Sequence, residues 1–173
     1  MAGIADAVAR EAEWFVGDHV ADGLPALLAA TGNDGPFGVV GAYPRRLSQR
    51  AHQCYVWREA LTDTRRGAGL HELRHFLVAT VLWSQAASPE RAHNDQAALD
   101  AALERIFTRI VGAGNRSHGG RFTSVAAATS GPGVGMRMTD PFAALVVRDA
   151  PGGLGLAYRV DVRYVATETI TVS

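Results

Sequence analysis

His71-Glu72-Leu73-Arg74-His75 reproduces the H-E-x-x-H spacing of a zinc hydrolase. That motif works on a helix, where positions four apart share a face. Both imidazoles then reach one Zn²⁺ and the glutamate acts as base. Here the residues that follow, Phe76-Leu77-Val78-Ala79-Thr80-Val81-Leu82-Trp83, have strand composition. In a strand, residues four apart lie about 13 Å apart, at roughly 3.3 Å per residue. Two ligands each held about 2.1 Å from one zinc cannot span that distance. His71, Glu72 and His75 therefore read as polar residues at the start of a strand, and neither metal nor other cofactor is expected. A small zinc hydrolase built on these three is kept as the reading from a different functional class.

The remaining reactive side chains are scattered. Gly131-Pro132-Gly133-Val134-Gly135 is glycine-rich like a phosphate loop, but it lacks the Gly-Lys-Ser/Thr ending, and the chain has no lysine at all. Ser48 and the pair Ser117-His118 have no evident acid or base partner and read as solvated loop residues. Cys54 is the only cysteine, which rules out an internal disulfide; its apolar setting favours a buried, inert thiol. No catalytic residue is assigned.

Every basic residue is arginine. Arg45, Arg46 and Arg50 form one local cluster, and Arg65 and Arg66 a second. Arg116, His118 and Arg121 sit in a later loop. These eight are the candidate contact residues, toward a protein carboxylate or a DNA phosphate, since arginine presents a planar bidentate fork. No bulk field accompanies them: 17 basic residues balance 17 acidic ones.

The elements that must hold these residues follow from periodicity. The chain is read as a single domain, 1–173, with 47% hydrophobic and 20% charged residues, ordinary for a soluble globular protein. The acidic N-terminal segment does not resemble a secretion signal, and no apolar run is long enough to cross a bilayer. A soluble protein made in a reducing compartment is expected.

A helix is expected over Ile4 to His19, with Ile4, Val8, Ala12, Phe15 and Val16 on one stripe. Asp22 to Ala30 extends it after a break, and Gly32 to Pro36 is a loop. Phe37 to Tyr43 reads as a short strand. His52 to Leu61 and Leu73 to Gln85 read as two strands joined by a long polar tip at about 62–69. Ser88-Pro89 supplies a cap and a first-turn proline for a second helix, striped by Leu99, Leu103, Ile106, Phe107, Ile110 and Val111 and stopped at Gly112. A glycine-rich loop is expected over about 112–135, with a short strand possible within Arg121 to Ala128.

The end of the chain is a hairpin. Ala143 to Val147 is apolar, 148–153 is a turn cluster, and Leu156 to Val165 alternates. Tyr158, Val160, Val162 and Tyr164 should face the core, with Arg159, Asp161 and Arg163 outside. The fold class is therefore α+β: a mostly antiparallel sheet, with one N-terminal helix and one central amphipathic helix packed on it, and long loops.

This order resembles the tail terminator proteins of siphophages, most closely from Leu73 to Val172. Thr80-Val81-Leu82-Trp83-Ser84-Gln85 running into the helix Asn94 to Ile110 looks like that family's central strand–helix unit. Asp140-Pro141-Phe142-Ala143 to Val147 and Gly153 to Tyr164 look like its closing hairpin. The resemblance implies a structural virion protein, assembled in the host cytoplasm and placed at the tail–neck junction. It would form a homohexameric ring that caps the tail tube, stops its polymerisation and joins it to the head connector or stopper. DNA would be met only in passing through the ring, and no membrane is involved. Another head–tail connector or tail-completion protein is the alternative within the same setting.

Overall fold

A computed structural model of the chain describes residues 6–16, 37, 39–43, 52–84, 89–112, 114, 116–128, 136–138, 147–148, 154–155 and 157–172. In chain order the elements are α1 (Ala7–Val16), β1 (Val39–Ala42), β2 (Gln53–Gly67), β3 (Leu70–Ser84), α2 (Pro89–Val111), β4 (Ser124–Ala127), β5 (Met136–Met138), β6 (Val147–Arg148), β7 (Leu154–Gly155) and β8 (Ala157–Thr171). The fold is α+β, as expected.

The main sheet runs β1-β2-β3-β8-β4, and β5 joins β8 on the same side as β4. Only the β1–β2 pair is parallel. Register follows from hydrophobic alternation. Val56 lies opposite Ala79, which lies opposite Val162; Cys54, Val81 and Val160 form the next row. These rows face the helices. α1 contributes Ala7, Val8, Trp14 and Phe15, and α2 contributes Leu99, Leu103, Ile106 and Ile110, all in one buried cluster with that sheet face. The α2 residues recur at steps of four, three and four, which is one helical stripe. Each fully buried large apolar side chain contributes about 1.5–3 kcal/mol. Both helices therefore lie on the same face of the sheet.

Several boundaries differ from the sequence reading. β2 and β3 do not end at a long loop over 62–69. The strands continue, and the turn is only Ala68 and Gly69, with Gly67 paired to Leu70. Polar residues read as a loop here, but an edge strand exposed at every position from 62 to 67 is polar on both faces while still pairing with β3. Its register shifts around Glu59 and Arg66, each an extra residue on β2. Within the expected loop at 112–135, 116–123 is a folded turn, while β4 is the short strand expected within Arg121 to Ala128; β4, and β5 beyond the loop, both pair with β8. On β8, Val160, Val162 and Tyr164 are buried as expected, but so is Asp161. Its carboxylate accepts the Thr80 hydroxyl at 2.7 Å and the Arg159 Nε–H at 3.2 Å, which makes burial tolerable.

α2 begins at Pro89 and ends with a 2.7 Å bond from the Gly112 N–H to the Thr108 carbonyl. Ser88, the extension at Asp22 to Ala30, the loop Gly32 to Pro36 and most of Ala143 to Val147 lie outside the described residues, as do Ile4 and His19.

Candidate functional site

The sheet extends beyond the helices. From Glu59 onward, β2 is exposed at every position but Leu61, and the end of β8 is exposed at Thr169, Thr171 and Val172. Together with the start of β3 these form a three-stranded end. The Val172 N–H donates to the Gly69 carbonyl at 2.7 Å, which closes that end. Leu70 and Val172, 39% and 53% exposed, lie there as two of the three large apolar residues exposed among the described ones.

Charge on this end is internally paired. Arg66 grips Glu72 through Nε at 3.1 Å and Nη2 at 2.9 Å, and Arg74 Nε donates to the same carboxylate at 2.9 Å. The Arg66 hydrogen bond is the first cause holding the Glu72 carboxyl below the usual range. His71 Nδ1 meets Asp63 at 2.8 Å. Arg65 Nε donates to the Gly67 carbonyl at 3.2 Å.

The candidate contact residues thus separate. Arg65 and Arg66 are at the exposed tip. Arg116 is exposed, and Arg121 is half-buried, bonded through Nη1 to the His118 carbonyl at 3.4 Å. His118 is a correction: it is 0% exposed, so its side chain does not reach the surface. The solvated-loop reading of this residue fails because a carboxylate from α1 meets it inside the core. Arg45, Arg46 and Arg50 lie outside the described residues. The H-E-x-x-H residues lie on β3, where His71 pairs with Asp63 and His75 turns into the core. Among the described residues no three His, Cys, Asp or Glu side chains converge as a metal cage would require.

Behind the exposed end lies a buried ion cluster built around α1. Arg10 Nη2 donates to Glu168 at 3.0 Å, Nη1 to the Arg121 carbonyl at 2.7 Å, and its guanidinium lies 4.9 Å from the Phe122 ring centre. Glu168 also meets His75 Nε2 at 2.8 Å, and Arg58 Nη1 lies 3.4 Å from His75 Nδ1. A guanidinium can only donate, so Nδ1 accepts and the proton sits on Nε2, facing Glu168. His75 is thereby neutral. Burial is the first cause of its lowered pKa, ahead of the opposing pull of Glu168.

The next residue of α1 makes a second pair. Glu11 and His118 are both 0% exposed, with Oε1 and Nδ1 2.6 Å apart; His118 Nε2 lies 3.0 Å from the Ile110 carbonyl. Trp14 stacks on the imidazole at 3.7 Å and 5°, and Arg109 stands 4.1 Å from the Trp14 ring centre. The Tyr164 hydroxyl shares the enclosure. Burial first, and Glu11 second, raise its pKa well above 10. Such a sealed cluster fixes the 116–123 turn and α1 against the sheet but admits no substrate.

These buried charges were missed in the sequence, although each lies on a row of buried apolar residues in the structure. Glu11 falls between Ala7 and Phe15 on the α1 stripe. His75 alternates with Leu73 and Leu77, and Glu168 continues the row from Tyr164 and Ala166.

No protein-family model matches the chain, and no curated protein is significantly similar to it.

Proposed function

We propose that the chain is a structural virion protein: a subunit of a hexameric ring that caps the tail tube, ends its polymerisation and joins it to the head connector. The carrying observation is the division of the molecule. Among the described residues, the ionisable clusters around Glu11, His75 and Glu72 are sealed inside or paired on the surface, while a three-stranded end with exposed Leu70 and Val172 runs past the helices. Such a domain works through surfaces, and its projecting end is the natural contact element. The order of elements from Leu73 to Val172, which resembles the siphophage terminators, supports the same reading.

A ring requires head-to-tail contact between unlike faces of neighbours. Six weak contacts acting together gain avidity, so the free chain is expected to assemble chiefly on a tube end. The test is genetic and visual. Deleting the gene from its phage should give filled heads and separate, partly overlong tails, and the purified chain mixed with tubes should add a ring at one end. Joined virions of normal tail length after the deletion would overturn the terminator reading. Tubes of normal length that fail only to join would favour a connector or completion protein instead.

A further inference from the structure

We infer that the buried Glu11–His118 pair holds one shared proton, and that this proton clasps the 116–123 turn onto α1 and the end of α2. Both ring nitrogens of His118 face acceptors: a carboxylate oxygen at 2.6 Å and the Ile110 carbonyl, which has no proton to give, at 3.0 Å. A neutral imidazole carries one N–H and can satisfy only one of them. Either the ring is an imidazolium beside a carboxylate, or Glu11 is a carboxylic acid donating to Nδ1. In both cases the pair binds one proton more than an ionised glutamate and a neutral histidine. Without that proton, two lone pairs would meet in a site closed to water, a costly arrangement.

The surroundings fit a retained proton. Trp14 stacks flat on the ring, placing its electron-rich face against the imidazole. His118 also holds a left-handed backbone, φ 47°, which a non-glycine residue adopts only when its surroundings fix it. The charged and titratable groups that reach the pair are Arg109 on α2, against Trp14, Arg121 in the turn, bonded to the His118 carbonyl, and Tyr164 on β8, its ring 6.1 Å from the imidazole. Arg10 on α1 and His75 on β3, both bonded to Glu168 on β8, lie against Phe122, whose ring is 6.5 Å from His118. His75, by contrast, is met by a donor and an acceptor and needs no extra proton.

The sign of the pH effect follows. Above the ordinary imidazole value of about 6.5, an unfolded chain keeps neutral histidine and ionised glutamate. The folded chain then binds one proton more, so its stability falls as pH rises. One proton corresponds to a tenfold rise in the unfolding constant per pH unit. Cys54, pushed up to about 12 by burial, and Tyr164 add an alkaline background of the same sign. Glu11→Gln separates the two. A glutamine amide can donate to Nδ1 while Nε2–H bonds Ile110, which satisfies the site with neutral histidine. The substitution leaves the Cys54 contribution in place and removes one of the causes raising Tyr164, but an unfolded tyrosine titrates only at about 10, above the range tested.

The experiment is urea unfolding of the full chain between pH 7 and 9, wild type beside Glu11→Gln. The wild-type unfolding constant should climb about tenfold more per pH unit than that of the variant until the folded pair itself deprotonates. Parallel slopes from pH 7 upward would overturn the proposal. Nitrogen-15 spectra of the wild-type imidazoles, read together with carbon-13 spectra of the glutamate carboxyls, decide the matter without a folded variant. At pH 7.5 the pair should show a doubly protonated His118 or a protonated Glu11 carboxyl, and a neutral ring beside an ionised carboxylate would overturn it.

Discussion

Val162 and Arg159 lie three residues apart on β8, and their surroundings set very different costs for substitution. Val162 is 1% exposed in the row with Val56 and Ala79. Val162→Asp should destabilise the chain by roughly 3 kcal/mol or more, through an unpaired buried charge. Arg159→Ala, which removes a partly exposed partner of Asp161, should cost far less; equal shifts in urea midpoint would contradict the assigned faces. His75 makes a separate pH prediction. Its folded pKa is lowered by burial, so the unfolded chain takes up the proton first as pH falls through about 6.5. The stability it contributes is present above that value and lost below it. His75→Gln should flatten the acid side of the stability profile, measured by urea midpoints from pH 7 to 5. The alternation on β8 was legible at this scale because period two separates wet from dry positions. Asp161 and Glu168 were not, since the hydroxyl and guanidinium that satisfy them come from elements 81 and 158 residues away in sequence.

Among the elements, the β2–β3 ribbon shows most plainly where sequence patterning stops. Thr62, Asp63, Thr64, Arg65 and Arg66 read as a loop by polarity, yet they pair residue by residue up to the bulge at Arg66, and the charges of Asp63 and Arg66 are met across the strands by His71 and Glu72. Cross-strand pairing is a property of two segments together, so one segment alone does not reveal it. The 116–123 turn escaped for the same reason, since it is ordered by α1 rather than by its own residues. α2 was legible because its stripe and first-turn proline are local. The ribbon's turn rests on one glycine: Gly69 has φ 71°, and a Cβ there would stand 2.6 Å from the Val172 carbonyl oxygen. Gly69→Ala should cost about 1–2 kcal/mol and loosen the end of β8. Gly67→Ala meets open space and should be far milder, and thermal unfolding of the two variants side by side checks the contrast.

For the whole molecule, the proposed ring sets what the exposed end must do. Arg65 and Arg66 are at its tip, and Arg66 is already paired with Glu72. Replacing both by alanine should leave the fold intact by circular dichroism while weakening head–tail joining severalfold in an infectivity or mixing assay. Full joining by the double variant would move the contact elsewhere on the surface. The order of synthesis carries a consequence of its own. β3, at the centre of the sheet, pairs with β2 across a two-residue turn but with β8 only after the 72 residues from 85 to 156. Local hairpins close in microseconds, whereas distant pairings wait on chain closure. On the ribosome, the β2–β3 hairpin is therefore complete while one edge of β3, with Leu77, Ala79 and Val81 beside it, still lacks its neighbour. That interval is when the chain is most prone to stick to its own kind, and a chain truncated before Ala157 would never leave it.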